Sequence, residues 1–312
     1  MKGSKFSRRP AVSNTAGRSL LLPDGEWEHD TINAAGVNFH VAQCGPADGE
    51  PIVLLHSYPR TWYSWRHTLV ALGKAGYRAS AMDLRGFGTS DLQPYGQDPL
   101  RMSADIAAVI NAMGACRAHV VGAGLGGKLG WILAATHIEV VSSLVTVCAP
   151  HPLSLHGSWP SPFSPAGRTV AATRLPWYNI RALRSGNLIE KTTSAWTYSP
   201  NLDAVRADHP VYEYAFSRPY AARLALEATI RANALTAKTR KRIDTVIECP
   251  VTTIIGQNDP LRPPAAFMRD QQWVFPPITS HLIPGCGHFA TEEAPDVVTD
   301  HVLNHLRDYA RS

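Results

Sequence analysis

Short apolar runs, each followed by a stretch of helical periodicity, set the architecture of this chain before any motif is considered. Pro51–His56 reads as a buried strand followed by a helix over Trp62–Leu72. Tyr77–Leu84 reads as a strand followed by a helix over Met102–Met113. Ala118–Gly122 is a strand that runs directly into a helix from about Leu125 to Ala135, and Val141–Val147 is another strand. Such alternation predicts a mostly parallel sheet, because parallel strands need crossover helices and are covered on both faces. Upstream, alternating stretches around Trp27–Ile32 and Val37–Val41 flank an Ala-Gly pair and predict an antiparallel hairpin at the sheet edge.

The rhythm stops after Cys148. Residues 151–245 are rich in Pro, Trp, Tyr and Arg and carry helical but no strand patterns; β-α alternation then returns with a strand at Val251–Ile255, a helix at Pro264–Val274, a strand at Ser280–Ile283 and a closing helix from about Ala294 to Tyr309. The organisation expected is a polar, mobile leader (1–24), a first core segment (25–150), a helical lid (151–245) and a second core segment (246–312). The lid would lie over the carboxyl edge of the sheet, where open α/β sheets bind ligands.

Composition narrows the function classes. Charged residues are 18% of the chain and hydrophobic ones 45%, which excludes a disordered chain, and the formal charge of +5 owes much to Lys2, Lys5, Arg8, Arg9 and Arg18 in the leader, read as a solvated basic tail. No basic helix interleaved with aromatics and no zinc-ligand spacing marks a nucleic-acid partner. Five scattered cysteines without CxxC spacing read as reduced residues of a cytoplasmic protein. No apolar run reaches the ~18 residues of a membrane span, and no apolar segment of a signal peptide follows the basic N-terminus.

The chemistry-bearing residues lie in loops at strand ends: His56-Ser57-Tyr58-Pro59, Gly122-Ala123-Gly124-Leu125-Gly126-Gly127, Gly256-Gln257-Asn258-Asp259-Pro260 and Gly285-Cys286-Gly287-His288. The second has the frame of a nucleophile elbow, a strained strand-to-helix turn flanked by small residues, with Gly124 at its apex. Glycine takes the left-handed conformation of such an apex without a Cβ penalty. The same stretch matches GxGxxG. It lies on a late strand, however, and the next strand ends at Cys148 rather than at an acid that could bind a ribose, so no dinucleotide is expected. No other cofactor and no metal is expected either.

With Trp62, Trp65-Arg66, Asp83-Leu84-Arg85-Gly86-Phe87-Gly88-Thr89-Ser90-Asp91, Ala149-Pro150-His151-Pro152 and Glu292-Glu293-Ala294-Pro295, these segments resemble the epoxide-hydrolase-like members of the α/β-hydrolase family over about residues 26–310. The resemblance implies an eight-stranded, mostly parallel sheet with helices on both faces and an inserted helical cap. It makes His288 the catalytic His and Asp259 the acid that orients it, with the amides of Tyr58 and Leu125 as oxyanion donors. It also implies that the nucleophilic Asp would stand at Gly124, after Ala123, and that two lid tyrosines would fall near Thr169 and near Ala228-Thr229. Neither lid position is Tyr; Tyr178, Tyr198, Tyr212, Tyr214 and Tyr220 are candidates to substitute. His56, Pro59, Trp62 and Cys148 are expected around the pocket. His56 would shape the oxyanion loop, Asp83 and Arg85 would fix the loop after their strand, and Trp159, Trp177 and Trp196 would pack the lid.

Two functions remain open. One is a pseudoenzyme that binds a small apolar molecule under the lid, or a protein partner, a second copy of the chain included. The other is an enzyme in which the His288–Asp259 pair acts as general base without a covalent intermediate, as in lyase, cofactor-free oxygenase or water-activating chemistry.

Overall fold

The computed structural model describes residues 19–154 and 160–309. Its eight strands are β1 (Glu28–Ala34), β2 (Val37–Cys44), β3 (Pro51–Leu55), β4 (Arg78–Met82), β5 (Ala118–Ala123), β6 (Val141–Val147), β7 (Val251–Gly256) and β8 (Thr279–Ile283). They form one sheet in the order β1-β2-β4-β3-β5-β6-β7-β8. β1 pairs antiparallel with β2, and β2 with β4; every other neighbour is parallel. The sheet is mostly parallel, as the alternation of apolar runs predicts, and has the eight strands that the resemblance implies. β5 and β7 are buried at every position, as central strands covered on both faces must be. Hydrophobic clusters lie on either side of the sheet, one around Trp131, Leu129 and Ile106, the other around Trp62, Trp65 and Leu306.

The helices that flank the core are α1 (Arg66–Lys74), α2 (Pro99–Ala112) and α3 (Leu125–Thr136). Between β6 and β7 come α4 (Pro165–Ala172), α5 (Tyr178–Arg184), α6 (Asn187–Trp196), α7 (Leu202–Arg206), α8 (His209–Ser217), α9 (Ala221–Asn233) and α10 (Ala237–Ile243), with no strand among the described residues of that segment. The chain closes with α11 (Ala290–Glu293) and α12 (Pro295–Tyr309). Among the described residues no helix is long and apolar enough to cross a membrane. All five cysteines are free thiols.

Three expectations are corrected here. The helix over 264–274 is two separate 3₁₀ turns, Pro264–Phe267 and Asp270–Trp273. Asp270, the first residue of the second turn, is buried and accepts from the backbone N–H of His151 (3.1 Å) and the hydroxyl of Ser154 (2.5 Å). That tertiary tie interrupts the helical ladder. Residues 19–24, placed with the leader, are docked: Leu21 is buried, its carbonyl accepts from Trp62 Nε1 at 3.1 Å, and the Pro23 carbonyl accepts from Trp27 Nε1 at 2.9 Å. Trp177 is not a packing residue of the cap, since 89% of it is exposed. Trp159 lies outside the described residues.

Candidate functional site

The site is built on the step from β5 to α3. Gly124 adopts φ +47°, ψ −106°, the left-handed pivot of an elbow, and its N–H donates to the Val147 carbonyl at 3.0 Å. The flanking glycines are there for close approach. A Cβ on Gly122 would stand 2.5 Å from the backbone of Gly126, and the Gly126 N–H reaches the His56 carbonyl at 3.1 Å, docking the first turn of α3 against the loop after β3. At Gly124 itself the space a side chain would enter is taken by Ser57. A Cβ there would overlap Ser57 Oγ, lie 2.9 Å from Ser57 Cβ and stand 3.3 Å from His288 Nε2. The Ser57 hydroxyl donates to the Tyr58 carbonyl at 3.3 Å.

His288 and Asp259 come together after β8 and β7. Nδ1 of His288 lies 2.7 Å from Asp259 Oδ2, while Asp259 Oδ1 accepts from the N–H groups of Leu261 (2.8 Å) and Arg262 (3.0 Å). Both residues are buried. A carboxylate held by three donors orients the imidazole and leaves Nε2 directed at Gly124. The His288 loop is fixed by Glu293, which accepts from the N–H groups of Gly287 (2.8 Å), Phe289 (3.0 Å) and Tyr198 (3.0 Å). From the cap, Trp196 accepts the His288 N–H on its carbonyl (2.9 Å) and sets its ring edge-on to the imidazole at 5.6 Å.

The opposite wall is the loop after β3. Tyr58 and Leu125 each present an N–H with no acceptor among the described residues, which suits both amides to an oxygen of a bound molecule. His56 is fully buried. Its Nε2 accepts from Leu84 N–H (3.1 Å), so its Nδ1 donates to the Ser57 carbonyl (2.8 Å), and burial lowers its pKa; it fixes the loop as a neutral ring. Asp83 accepts from Trp62 N–H (3.0 Å), Thr89 N–H (2.9 Å) and His40 (2.9 Å); burial opposes its ionisation, but His40 and the other donors bring its pKa below the usual range. Arg85 makes a two-pronged pair with Asp105 at 2.6 and 2.7 Å.

The cavity these walls enclose is about 50 Å³. Ser57, Tyr58, Gly124, Leu125, Cys148 and His288 line it, and so does Trp196 of the cap. His56, Pro59 and Trp62 do not. The ring nitrogens of His56 are spent on the backbone, the cavity ends at Tyr58 before Pro59, and Trp62 packs outward against Trp27 (5.3 Å) on the far side of the sheet. None of the five candidate cap tyrosines reaches the cavity. Tyr212 is buried against Glu292 (2.9 Å), Tyr220 is 70% exposed, and Tyr178, Tyr198 and Tyr214 lie elsewhere. Thr229 does line it, and Thr169 instead accepts from Trp196 Nε1 at 2.6 Å.

The remaining lining residues, Lys128, Asn233, Leu261 and Arg262, were not singled out in the sequence, and the three polar ones make the lining less apolar than expected. Lys128, one turn into α3, is buried and donates to Asn233 Oδ1 of α9. Burial, and then the charge of Arg262, hold its ammonium well below the usual lysine pKa. The signal was present: Lys128 is the one charged residue in the apolar stretch Leu125–Ala135. The buried pair Arg60–Glu292 was also missed. At 2.6 Å, with Tyr212 and Thr193 bonded to it, it ties the loop after β3 to α11 and to the cap.

Cys148 Sγ, an Asp259 oxygen and a His288 ring nitrogen lie within 4.8 Å of one another. They suit a metal poorly. Asp259 already serves three donors, and burial, followed by Asp259 and Cys286, holds the Cys148 thiol well above its usual pKa, in the protonated form that does not ligate. Cys148 itself is held at φ +51°, unusual for a side-chain-bearing residue, with its thiol 3.5 Å from the Gly287 carbonyl.

Residues 50–295 match the family model described as alpha/beta hydrolase fold. Epoxide hydrolase 3 of Xenopus tropicalis is 28% identical over 305 residues, covering 94% of this chain and 82% of that protein. AB hydrolase superfamily protein YfhM of Bacillus subtilis is 40% identical over 124 residues, 39% of this chain and 43% of its own length. Among solved structures, Cfl2 from Burkholderia cenocepacia superposes with a TM-score of 0.79 at 24% identity, covering 91% of this chain and 96% of that one, a likeness of fold.

Proposed function

We propose, from the premise that this chain belongs to the alpha/beta hydrolase fold family, that it is an epoxide-hydrolase-like homologue that binds a small molecule at the elbow and does not run covalent hydrolysis. The observation that carries this reading is at the apex. Gly124 has no side chain, and the space beside it is filled by a Ser57 hydroxyl bonded to the Tyr58 carbonyl rather than to the imidazole. Without a group to carry the intermediate, the two-step route through an enzyme ester is closed. In hydrolases that lose one member of the triad only about 10³–10⁴-fold catalysis over water remains.

A second reading is favoured by the His288–Asp259 geometry. A buried imidazole oriented at 2.7 Å by a fully bonded carboxylate is what a general base needs, and a binder has no use for it. General-base catalysis contributes about 10²–10⁴-fold on its own, so proton abstraction from a bound molecule stays open to this site.

Assays with epoxides and aryl esters test the first reading. Turnover at ordinary enzymatic rates, lost in His288→Ala, contradicts it. So does a fluorophosphonate reagent that labels Ser57 in the wild type and not in His288→Ala. Screening of metabolites against wild type and Asp259→Asn tests the second reading; identical consumption by the two proteins removes it.

A further inference from the structure

Among the described residues Lys128 is the only buried lysine, 5% exposed, and neither reading uses it. It lines the elbow cavity together with His288, Tyr58 and Leu125. Its place follows from the helix. The Lys128 N–H closes the first turn of α3 onto the Gly124 carbonyl at 3.1 Å. Side chains on a helix lean toward its N-terminus, so a lysine at this position reaches back toward the elbow. There Nζ donates to Asn233 Oδ1 of α9. That acceptor is a neutral amide, which does not favour the ammonium as a carboxylate would. Burial first, and then the charge of Arg262, hold the lysine well below its usual pKa. Those are the two conditions that leave a lysine as a nucleophilic free amine. Such an amine spends one N–H on Asn233 and keeps its lone pair for an occupant of the cavity.

We infer that Lys128 Nζ forms an imine with a small aldehyde or ketone held in this cavity. The inference rests on the reading of the elbow as a small-molecule site and names the class of molecule and the group that bonds it. Size sets the scale, since a cavity of about 50 Å³ holds a carbonyl compound of a few non-hydrogen atoms. The step balances without a co-reactant. The amine lone pair forms the C–N bond, the carbonyl π pair moves to oxygen, both amine protons pass to that oxygen, and it leaves as water. Nothing is oxidised or reduced. The walls supply the rest. The N–H groups of Tyr58 and Leu125 suit the oxygen while it carries charge. His288 Nε2, with Nδ1 held by Asp259 at 2.7 Å, is a proton carrier facing the same occupant. Once protonated, the imine acidifies the carbon beside it, which gives the imidazole of the second reading a proton to take.

Two measurements on the full chain test this. In the first, acetone or acetaldehyde is added near neutral pH with sodium cyanoborohydride, which reduces an imine to a stable secondary amine, and peptide mass spectrometry locates the modified lysines. Lys128 should be labelled at least about tenfold faster than the exposed Lys74 or Lys191, since each unit by which a lysine's pKa falls gives about tenfold more free amine. The wild-type label needs no variant. The second measurement needs no reductant. Imine formation and its reversal carry the oxygen of acetone labelled with heavy oxygen into water, and wild type should speed that exchange at least about tenfold over Lys128→Met or Lys128→Arg, with circular dichroism verifying that each variant is folded. Exchange no faster in wild type than in a folded variant, or Lys128 labelled no faster than the exposed lysines, overturns the imine. If acetone, acetaldehyde or a neutral fragment nevertheless protects His288 from diethylpyrocarbonate, the small-molecule reading stands without it. If none of them protects His288, the small-molecule reading itself fails, and the imine with it.

Discussion

Ser57 and Gly124 occupy one space: any Cβ placed on Gly124 overlaps the Ser57 hydroxyl and comes within 2.9 Å of Ser57 Cβ. The two positions therefore behave as a complementary pair, one small where the other is filled. A side chain can return to the apex only if residue 57 shrinks or rotates away.

That relationship gives a double-mutant cycle. Gly124→Asp alone should destabilise the protein by about 1–3 kcal/mol through overpacking. Combined with Ser57→Gly it should recover much of that loss, leaving a coupling of about 1–2 kcal/mol between contacting sites. Urea melts of the four proteins provide the measurement. The double variant is also the right background in which to look for an epoxide-derived ester on residue 124 by mass spectrometry, and Gly124→Asp alone should give less of it.

Arg60 and Glu292 form an ion pair with both side chains 1% exposed. Glu292→Leu strands a buried guanidinium and should cost about 3–5 kcal/mol, whereas Arg60→Met with Glu292→Leu should come back close to wild type, because a packed apolar pair replaces buried ions at little loss. Equal destabilisation in the single and double variants, read from denaturant midpoints, contradicts this.

Stability should fall on both sides of a maximum in pH. Burial lowers the pKa of His151 to about 3, and burial with His119 and His281 lowers that of His305 to about 3. With an unfolded value of ~6.5, both rings bind more protons unfolded than folded across that window, so stability declines as pH falls from ~6.5 toward 3. Asp270 acts oppositely. Burial lifts it to about 7 against its hydrogen bonds from Ser154 and His151, so the folded state holds the extra proton from ~4 upward and loses stability as pH rises through 7. Asp270→Asn, which keeps an oxygen for both donors, should gain on wild type more at pH 8 than at pH 4.5 in urea melts.

The sheet could be read from the chain because apolar runs and helical periods are local patterns, and β3 to β7 fell where those patterns put them. His288 and Asp259 were legible for a related reason, since both sit just past strand ends in short glycine-marked loops. What escaped depends on distance in sequence. Lys128 meets Asn233 across 105 residues, and Arg60 meets Glu292 across 232. Nothing local in either partner announces the other. The 264–274 segment failed for the same cause, a helical period overruled by the reach of Asp270 to Ser154. Ser57 was visible as a residue, but its direction was not, because only the docking of α3 against the loop after β3 brings its hydroxyl over Gly124.

Trp196 has a double attachment whose meaning extends past packing. Its carbonyl holds the backbone of His288, its ring flanks the imidazole, and its indole N–H is anchored to Thr169 on α4. Any displacement of the cap at such a residue would carry the backbone and ring of His288 with it. Were a molecule admitted by that route, the rate measured for its admission should also be the rate at which the imidazole changes its surroundings.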